Sequence, residues 1–152
     1  MKKLFFAVLF TAAIATSAFA SDIFASDASK VNYKVLNTFN ANFKSASSVN
    51  WIIKNEFTKA TFTISGIEVE AFFDNDGELF GVSRKTNFES LPLNAIEKIK
   101  SDYKKYTVTT AIEFEHKGEK NYYVYLNDGK HKKLLVVSLY GTVSKFEGFS
   151  KE

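Results

Sequence analysis

Apolar residues recur at four-residue spacing in two parts of the chain. Val31, Val35, Phe39 and Phe43 would stack on one face of a helix. A second stripe, formed by Ile96, Ile99 and Tyr103, follows Pro92, whose fixed φ suits the first turn of a helix. The pattern therefore predicts two amphipathic helices, the first with start signals at Asp27 and Ser29.

Elsewhere apolar and polar residues alternate with a period of two, which is typical of strands. Eight runs have this pattern: 49–53, 59–64, 67–73, 79–83, 108–114, 122–126, 133–140 and 142–146. In the first run Val49, Trp51 and Ile53 share one face, and we expect Trp51 to point towards the helices. Short turn sequences such as Ser65-Gly66 and Asp128-Gly129 join neighbouring runs. Because such loops connect antiparallel strands, each group of four strands is predicted to form an antiparallel meander.

The order of elements is one helix and four strands, repeated once. Phe39 and Ile99 are 60 residues apart, and Gly77 and Gly141 are 64 apart. This offset predicts an α+β fold made of two tandem pseudo-repeats, about 28–88 and 89–149. Each repeat would be one helix packed on a four-stranded antiparallel sheet, either as separate sheets or as one continuous curved sheet; a single α+β domain without true repetition is the alternative.

The first twenty residues have the pattern of a secretory signal peptide. Lys2 and Lys3 precede an uncharged run, and small residues at Ala18 and Ala20 suit a signal peptidase. We therefore expect cleavage after Ala20, a mature domain over 21–152, and a periplasmic or secreted location. The alternative is an uncleaved anchor, and no later apolar run has the length of a membrane span.

The net charge and the lack of cysteine exclude several classes of function. The chain has 152 residues and a formal charge of +3, and removal of the two leader lysines leaves +1. A near-neutral charge argues against nucleic-acid binding, which depends on clustered lysine and arginine. Cysteine is absent, which excludes disulfides, thiolate catalysis and thiolate metal sites.

No candidate group predicts an enzyme, a metal site or a cofactor. Asp74 and Asp76 flank Gly77 in what is better explained as a hairpin turn than as a calcium loop. His116 and His131 lack further metal ligands nearby in the sequence. The serines have no nucleophile motif. We therefore predict no catalytic, cofactor-binding or metal-binding residue.

Aromatic residues are in excess on the strand face that alternation turns away from the helices. We expect them to be exposed anchors of a binding face, because interfaces favour large aromatics with a polar rim. The predicted anchors are Phe72, Phe80, Tyr123 and Tyr125. The predicted rim residues are Glu68, Glu70, Lys59 and Arg84. The alternative is that cross-strand aromatic pairs simply stabilise a two-sided sheet.

A set of short segments carries a resemblance that covers nearly all of the predicted mature chain. These segments are Phe39–Phe43, Val49–Trp51, Ala60–Phe62, Ala71–Gly77, Leu91-Pro92 and the helix end at Tyr103. Together they resemble the PepSY-like family named for its similarity to the β-lactamase inhibitor protein, whose members are small exported proteins common among Bacteroidetes. The resemblance implies a sheet whose open concave face meets a partner protein, and PepSY modules are associated with restraint of peptidases.

Two functions remain open from the sequence. The first is an exported, non-enzymatic module that binds an envelope or extracellular protein, such as a peptidase or another hydrolase, through the open sheet face. The second is a carrier of a small ligand in a groove between sheet and helices, or a structural envelope protein. A homodimer through the same face, which would also bury the aromatics, is left open as an alternative to a foreign partner.

Overall fold

The computed structural model describes residues 23–25 and 28–146, and the predicted signal peptide and cleavage site lie outside these ranges. The elements up to the middle of the chain are β1 (Ile23–Ala25), α1 (Tyr33–Asn42), β2 (Ser47–Ile53), β3 (Thr58–Ile64), β4 (Ile67–Phe73) and β5 (Leu79–Thr86). The remaining elements are α2 (Leu93–Asp102), β6 (Thr107–His116), β7 (Glu119–Asn127), β8 (Lys132–Ser138) and β9 (Val143–Lys145). Single 3-10 turns at Ala28–Lys30 and Phe88–Ser90 precede the two helices.

The strands belong to one sheet in which hydrogen-bonded neighbours follow chain order from β1 to β9. The prediction of two tandem repeats, each a helix on its own four-stranded sheet, is therefore wrong. The strand ladder continues where a repeat boundary was expected, since β5 pairs with β6 from Val82↔Glu115 to Thr86↔Ala111. Alternation within a strand does not reveal which strand lies beside it, because pairing across 88–89 depends on contacts distant in sequence.

Contacts between Cα atoms divide the chain into two compact units. Among the described residues, unit 1 comprises those up to Gly66 together with Ala71–Phe80, and unit 2 comprises Ile67–Glu70 and Gly81–Phe146. No helix in the described ranges has the length and apolar character that crossing a membrane requires.

Unit 1 has an aromatic core beneath α1. The ring of Phe39 lies 5.0 Å from Trp51 and 5.1 Å from Phe62 in edge-to-face contacts, and 6.4 Å from Phe73. Such pairs add to the free energy gained by burying apolar area. The prediction that Trp51 points towards the helix is confirmed.

Unit 2 has a second core, beneath α2. Ala95, Ile96 and Ile99 of the helix are buried, and Tyr103 packs against the same cluster. The sheet contributes the following buried residues: Ala111, Tyr122, Val124, Leu126, Leu135 and Val137. The helical stripe predicted after Pro92 is thus confirmed.

The two helices begin differently from one another. The side chain of Asn32 caps α1 by accepting a hydrogen bond from the backbone N of Lys34 at 3.0 Å. Ser29, one of the predicted start signals, lies in a 3-10 turn, and α1 begins four residues later; Asp27, the other, lies outside the described residues. Pro92 immediately precedes α2, where its missing N–H removes no helical hydrogen bond.

Candidate functional site

Each unit has a strand face opposite to its helix, which we call the helix-free face. In unit 1, Phe73 packs towards Phe39, so its neighbour Phe72 points to the opposite face. In unit 2, Tyr122 and Val124 join the core under α2, which turns Tyr123 to the helix-free face. Tyr125 lies on that face for the same reason.

The predicted aromatic anchors are more buried than the sequence indicated. Phe72, Tyr123 and Tyr125 are only 3%, 7% and 8% exposed, and Phe80 is half-buried. Burial raises the pKa values of the Tyr123 and Tyr125 hydroxyls above the ordinary tyrosine value, because the charged phenolate is poorly solvated at these buried positions. The expectation that these three rings are exposed is therefore wrong, while their role in binding stays a prediction.

Aromatic neighbours account for part of this burial. The ring of Phe72 lies 6.3 Å from Phe57 and 6.1 Å from Phe80 in unit 1. In unit 2, the ring of Tyr123 lies 6.2 Å from Phe114 and 6.2 Å from Phe146 in edge-to-face contacts. These contacts favour the alternative in which aromatic pairs stabilise a two-sided sheet.

The acidic rim residues have partners on β5. Glu70 accepts a hydrogen bond from the Ser83 hydroxyl at 3.1 Å, and Lys85 Nζ lies 4.0 Å from Glu68 Oε1. Lys59, also a predicted rim residue, is half-buried opposite Ile52 in the β2–β3 ladder. The structure therefore brings Glu68 and Glu70 together with β5, whereas Lys59 belongs to unit 1.

Arg84 was expected on the rim of the helix-free face, and this prediction is wrong. It pairs with Glu113 in the β5–β6 ladder, and Glu113 shares a strand face with Ala111 of the core under α2. Arg84 therefore lies on the helix side. Its neighbour Ser83, which contacts Glu70, points the other way.

Glu113 is held between two cations. The Arg84 Nη2 and Lys120 Nζ atoms each lie 3.0 Å from Glu113 Oε1. Burial opposes ionisation of Glu113, but the hydrogen bonds from Lys120 and Arg84 outweigh it, so the pKa of this carboxyl is lowered. A carboxylate held ionised in this way is suited to stabilising the sheet and poorly suited to proton transfer at neutral pH.

A shallow groove of about 310 Å³ lies at the end of β5 in unit 2. Its walls are formed by Ile67, Arg84, Lys85, Thr86, Asn87 and Ser90. Most of these side chains are polar, and Arg84 is already paired with Glu113. The groove therefore gives little support to the carrier alternative, because sites for apolar ligands are enclosed and mainly hydrophobic.

The candidate metal-binding residues have ordinary structural roles. Asp74 Oδ1 accepts hydrogen bonds from the backbone N atoms of Asp76 at 3.0 Å and Glu78 at 2.9 Å, as in a hairpin turn. His131 Nδ1 lies 3.3 Å from Asp128 Oδ2 at another turn. Within 23–25 and 28–146, no group of three or more metal-ligating side chains is found.

Three exposed apolar residues lie where the start of α2 meets the turn between β8 and β9 in unit 2. Leu93, at the start of α2, is 70% exposed, while Leu139 and Tyr140, in the turn between β8 and β9, are 50% and 86% exposed. The Asn94 side chain donates a hydrogen bond to the Tyr140 carbonyl oxygen at 3.1 Å, which joins the helix start to the turn. We call Leu93, Leu139 and Tyr140 the turn patch.

The turn patch was not predicted, because the pattern of the sequence assigned 133–140 to a strand. In the structure β8 ends at Ser138, and Gly141 has a φ of +84°, so Leu139 and Tyr140 lie in the turn itself. A signal was available, since Gly141 favours a turn that includes the residues before it.

Solved structures with the same fold include proteins from Bacteroides species. A DUF2874 family protein from Bacteroides uniformis superposes with a TM-score of 0.68 at 13% identity, covering 76% of this chain and 89% of its own. A BLIP-like protein from Bacteroides fragilis has a TM-score of 0.65 at 19% identity, covering 80% of this chain and 90% of its own. This chain therefore has the fold of DUF2874 and BLIP-like proteins.

A third similar structure is a protein thought to be periplasmic, from Bacteroides eggerthii. It has a TM-score of 0.66 at 10% identity and covers 79% of this chain and 92% of its own. At these identities the likeness shows the fold alone. No family model and no curated protein matches the sequence, and the resemblance to PepSY modules stays a prediction.

Proposed function

We propose that this protein is a non-enzymatic protein of the bacterial envelope that binds another protein through the turn patch. The observation that carries the proposal is the clustering of Leu93, Leu139 and Tyr140. They are three of the five large apolar side chains that are well exposed among the described residues. Exposed apolar residues are ordinary when scattered, but a cluster at one corner is typical of an interaction site.

The backbone beneath the turn patch is well held, which favours binding. Besides the Asn94 contact to the Tyr140 carbonyl oxygen, the backbone N of Thr142 donates to Ser138 Oγ at 3.1 Å across the same turn. Because the turn is already ordered, a partner that covers Tyr140 would pay little conformational entropy for the backbone. Tyrosine also combines a large apolar area with a polar hydroxyl, as interface anchors often do.

The shape of the turn patch favours a protein partner over a small ligand. Leu93 and Tyr140 project from a helix start and a turn, whereas small ligands bind in concave sites. We expect the partner to offer an apolar pocket for Tyr140, and a peptidase or another hydrolase remains the expected class. The envelope location is supported by the signal-like pattern of residues 1–20 and by the periplasmic description of the Bacteroides eggerthii protein.

Site-specific photo-crosslinking tests this function in cells that express and export the full sequence. A photo-reactive amino acid would replace Tyr140 in one strain and Tyr33 in another. Tyr33 is a matched control for Tyr140, because it is also an exposed tyrosine, with 69% of its surface accessible. It is the first residue of α1, just as Leu93 of the turn patch is the first residue of α2. A third strain would carry the probe in place of Phe80, on the predicted sheet-face site.

We expect one discrete adduct with a different protein from the Tyr140 position and no such adduct from Tyr33. Leu93→Ser and Leu139→Ser should each reduce the yield of this adduct. If the two leucines are anchors, each change should weaken binding of the partner by more than about 1 kcal/mol. Equal labelling from Tyr140 and Tyr33 would contradict the proposal. An adduct formed only from Phe80 would transfer binding to the helix-free face, and an adduct of two copies of this chain would replace the foreign partner with a homodimer.

A further inference from the structure

Two turns that carry lysines lie side by side at one end of the unit 2 sheet. Thr107, the first residue of β6, pairs with Asn127 at the end of β7, and Asn127 pairs with Lys132 at the start of β8. The turn that precedes β6 therefore lies beside the β7–β8 hairpin. We call the lysines of these two turns and of the start of β8 the lysine edge: Lys104, Lys105, Lys130, Lys132 and Lys133.

A direct contact links the two turns. Lys133 Nζ lies 5.4 Å from the centre of the Tyr106 ring, over its face, and Tyr106 directly follows Lys105. This cation–π contact holds Lys133, which is half-buried, against the turn that carries Lys104 and Lys105. The other four lysines of the edge are exposed.

The acidic groups nearby do not cancel this charge. Hydrogen bonds from the backbone N atoms of His131 and Lys130 hold the pKa of Asp128 at about 2, so Asp128 contributes one negative charge. Asp102, at the end of α2, is paired with Lys98 at 2.8 Å. Residues 103–107 and 127–133 together contain five lysines and one aspartate, a formal charge of +4 in a chain whose total is +3.

We propose that the lysine edge docks the protein on an anionic lipid surface. The complementary partner is a bilayer face rich in phosphate headgroups, to which each nearby lysine adds electrostatic attraction. This inference is independent of the turn patch but rests on the proposed envelope location, where membrane surfaces are available. The near-neutral total charge of the predicted mature chain therefore conceals a segregated basic edge.

The residue types favour a membrane over a specific anion site. Every cation of the edge is a lysine, and the single arginine of the chain, Arg84, is occupied by Glu113. Lysine ammonium groups act as mobile point charges, whereas pockets that recognise one phosphate or carboxylate favour the bidentate geometry of arginine. Lys104, Lys105 and Lys130 are exposed on two adjacent turns and can approach a flat charged surface together.

Vesicle co-sedimentation with the exported chain, purified from the periplasm with its mass recorded, tests the proposal. One vesicle population contains phosphatidylcholine with about one-third phosphatidylglycerol, and the other contains phosphatidylcholine alone. The test variant is Lys104→Gln/Lys130→Gln. The matched control is Lys85→Gln/Lys117→Gln, which removes the same charge from exposed lysines elsewhere in unit 2, Lys117 being at the opposite end of β6.

We expect binding to the phosphatidylglycerol vesicles that weakens at about 0.3 M salt, where the Debye length is short. The test variant should lose at least about tenfold in affinity, since each lysine near an anionic surface is worth about fivefold. The control variant should retain most of the binding. Equal binding to neutral vesicles, or equal loss in the two variants, would overturn the proposal. Neither result would affect crosslinking at Tyr140, so the two proposals fail separately.

A final arm separates membrane lipid from soluble phosphate. Millimolar inorganic phosphate, added at constant ionic strength, should leave vesicle binding unchanged, because a lysine surface has low affinity for one small anion. Displacement of the protein by phosphate would contradict surface docking and indicate a discrete anion site in its place.

Discussion

Gly77 lies directly against Lys34 in the first turn of α1: a Cβ atom on this glycine would stand 2.6 Å from the Cβ of Lys34 and 2.8 Å from its carbonyl carbon. The same kind of contact occurs in unit 2, where a Cβ on Gly141 would clash with the Asn94 side chain in the first turn of α2. Both glycines have positive φ angles, +83° and +84°. In each unit a turn without a side chain therefore allows the helix start to approach closely.

Gly77→Ala should destabilise unit 1 for two reasons, a left-handed backbone and a clash with α1. Gly66→Ala is the matched control, because Gly66 has a φ of +79° with no atom within 4 Å of an added Cβ. We expect a loss of about 1 kcal/mol for Gly66→Ala, and a further loss of about 1–3 kcal/mol for Gly77→Ala. Urea unfolding measures both. Equal losses would mean that the helix start moves away from the turn without cost.

Trp51→Ala should remove about 3–5 kcal/mol of unfolding free energy. Trp51 is buried and packs on Phe39 and Phe73, so its removal leaves a cavity beneath α1. Thermal unfolding of the variant should occur at a clearly lower temperature than that of the wild type. Tyr33→Ala, which truncates an exposed aromatic residue, should change stability by no more than about 0.5 kcal/mol.

The ion pairs of Glu113 should make stability depend on pH in the acid range. Because the pKa of Glu113 is lowered in the folded state, its contribution is fully present above the ordinary value near 4.5 and is lost as the pH falls through the lowered value. Glu113→Gln should cost about 1 kcal/mol at pH 7, since Arg84 is largely exposed and solvent screens the pair.

The difference between wild type and Glu113→Gln should shrink as the pH falls below 4.5 and through the lowered pKa of Glu113, because the wild-type side chain then loses its charge. Denaturant unfolding at several pH values provides the measurement. A difference that grows on acidification would show that the carboxylate is not stabilised by Arg84 and Lys120 in the folded state.

Phe72→Ala decides whether the helix-free face of unit 1 is structural. The ring is buried and lies near Phe57 and Phe80, so we expect a loss of about 3 kcal/mol, comparable to that of Trp51→Ala. Stability would be followed by urea unfolding. A loss below about 1 kcal/mol would contradict this structural role and would favour the prediction that Phe72 serves as a binding anchor.

The local pattern of the sequence was sufficient to predict the helices and strands and to predict which helix residues face the core. Four-residue spacing predicted that Val35 and Phe39 face the core, and alternation predicted the inward position of Trp51. The turn at Asp74–Gly77 was also evident, because Asp and Gly have strong local preferences for such conformations. These features depend on residues close in sequence, which is why the sequence alone determined them.

Strand pairing and exposure were decided by the tertiary structure. Continuity of the sheet past residue 86 depends on the β5–β6 register, and that register placed Arg84 on the helix side beside Glu113. Burial of Phe72 and Tyr123 depends on rings brought from other strands. Likewise, the turn patch and the lysine edge join residues about 25 to 50 positions apart. Such surfaces arise from long-range packing, because alternation specifies two faces of a strand but not what lies against either one.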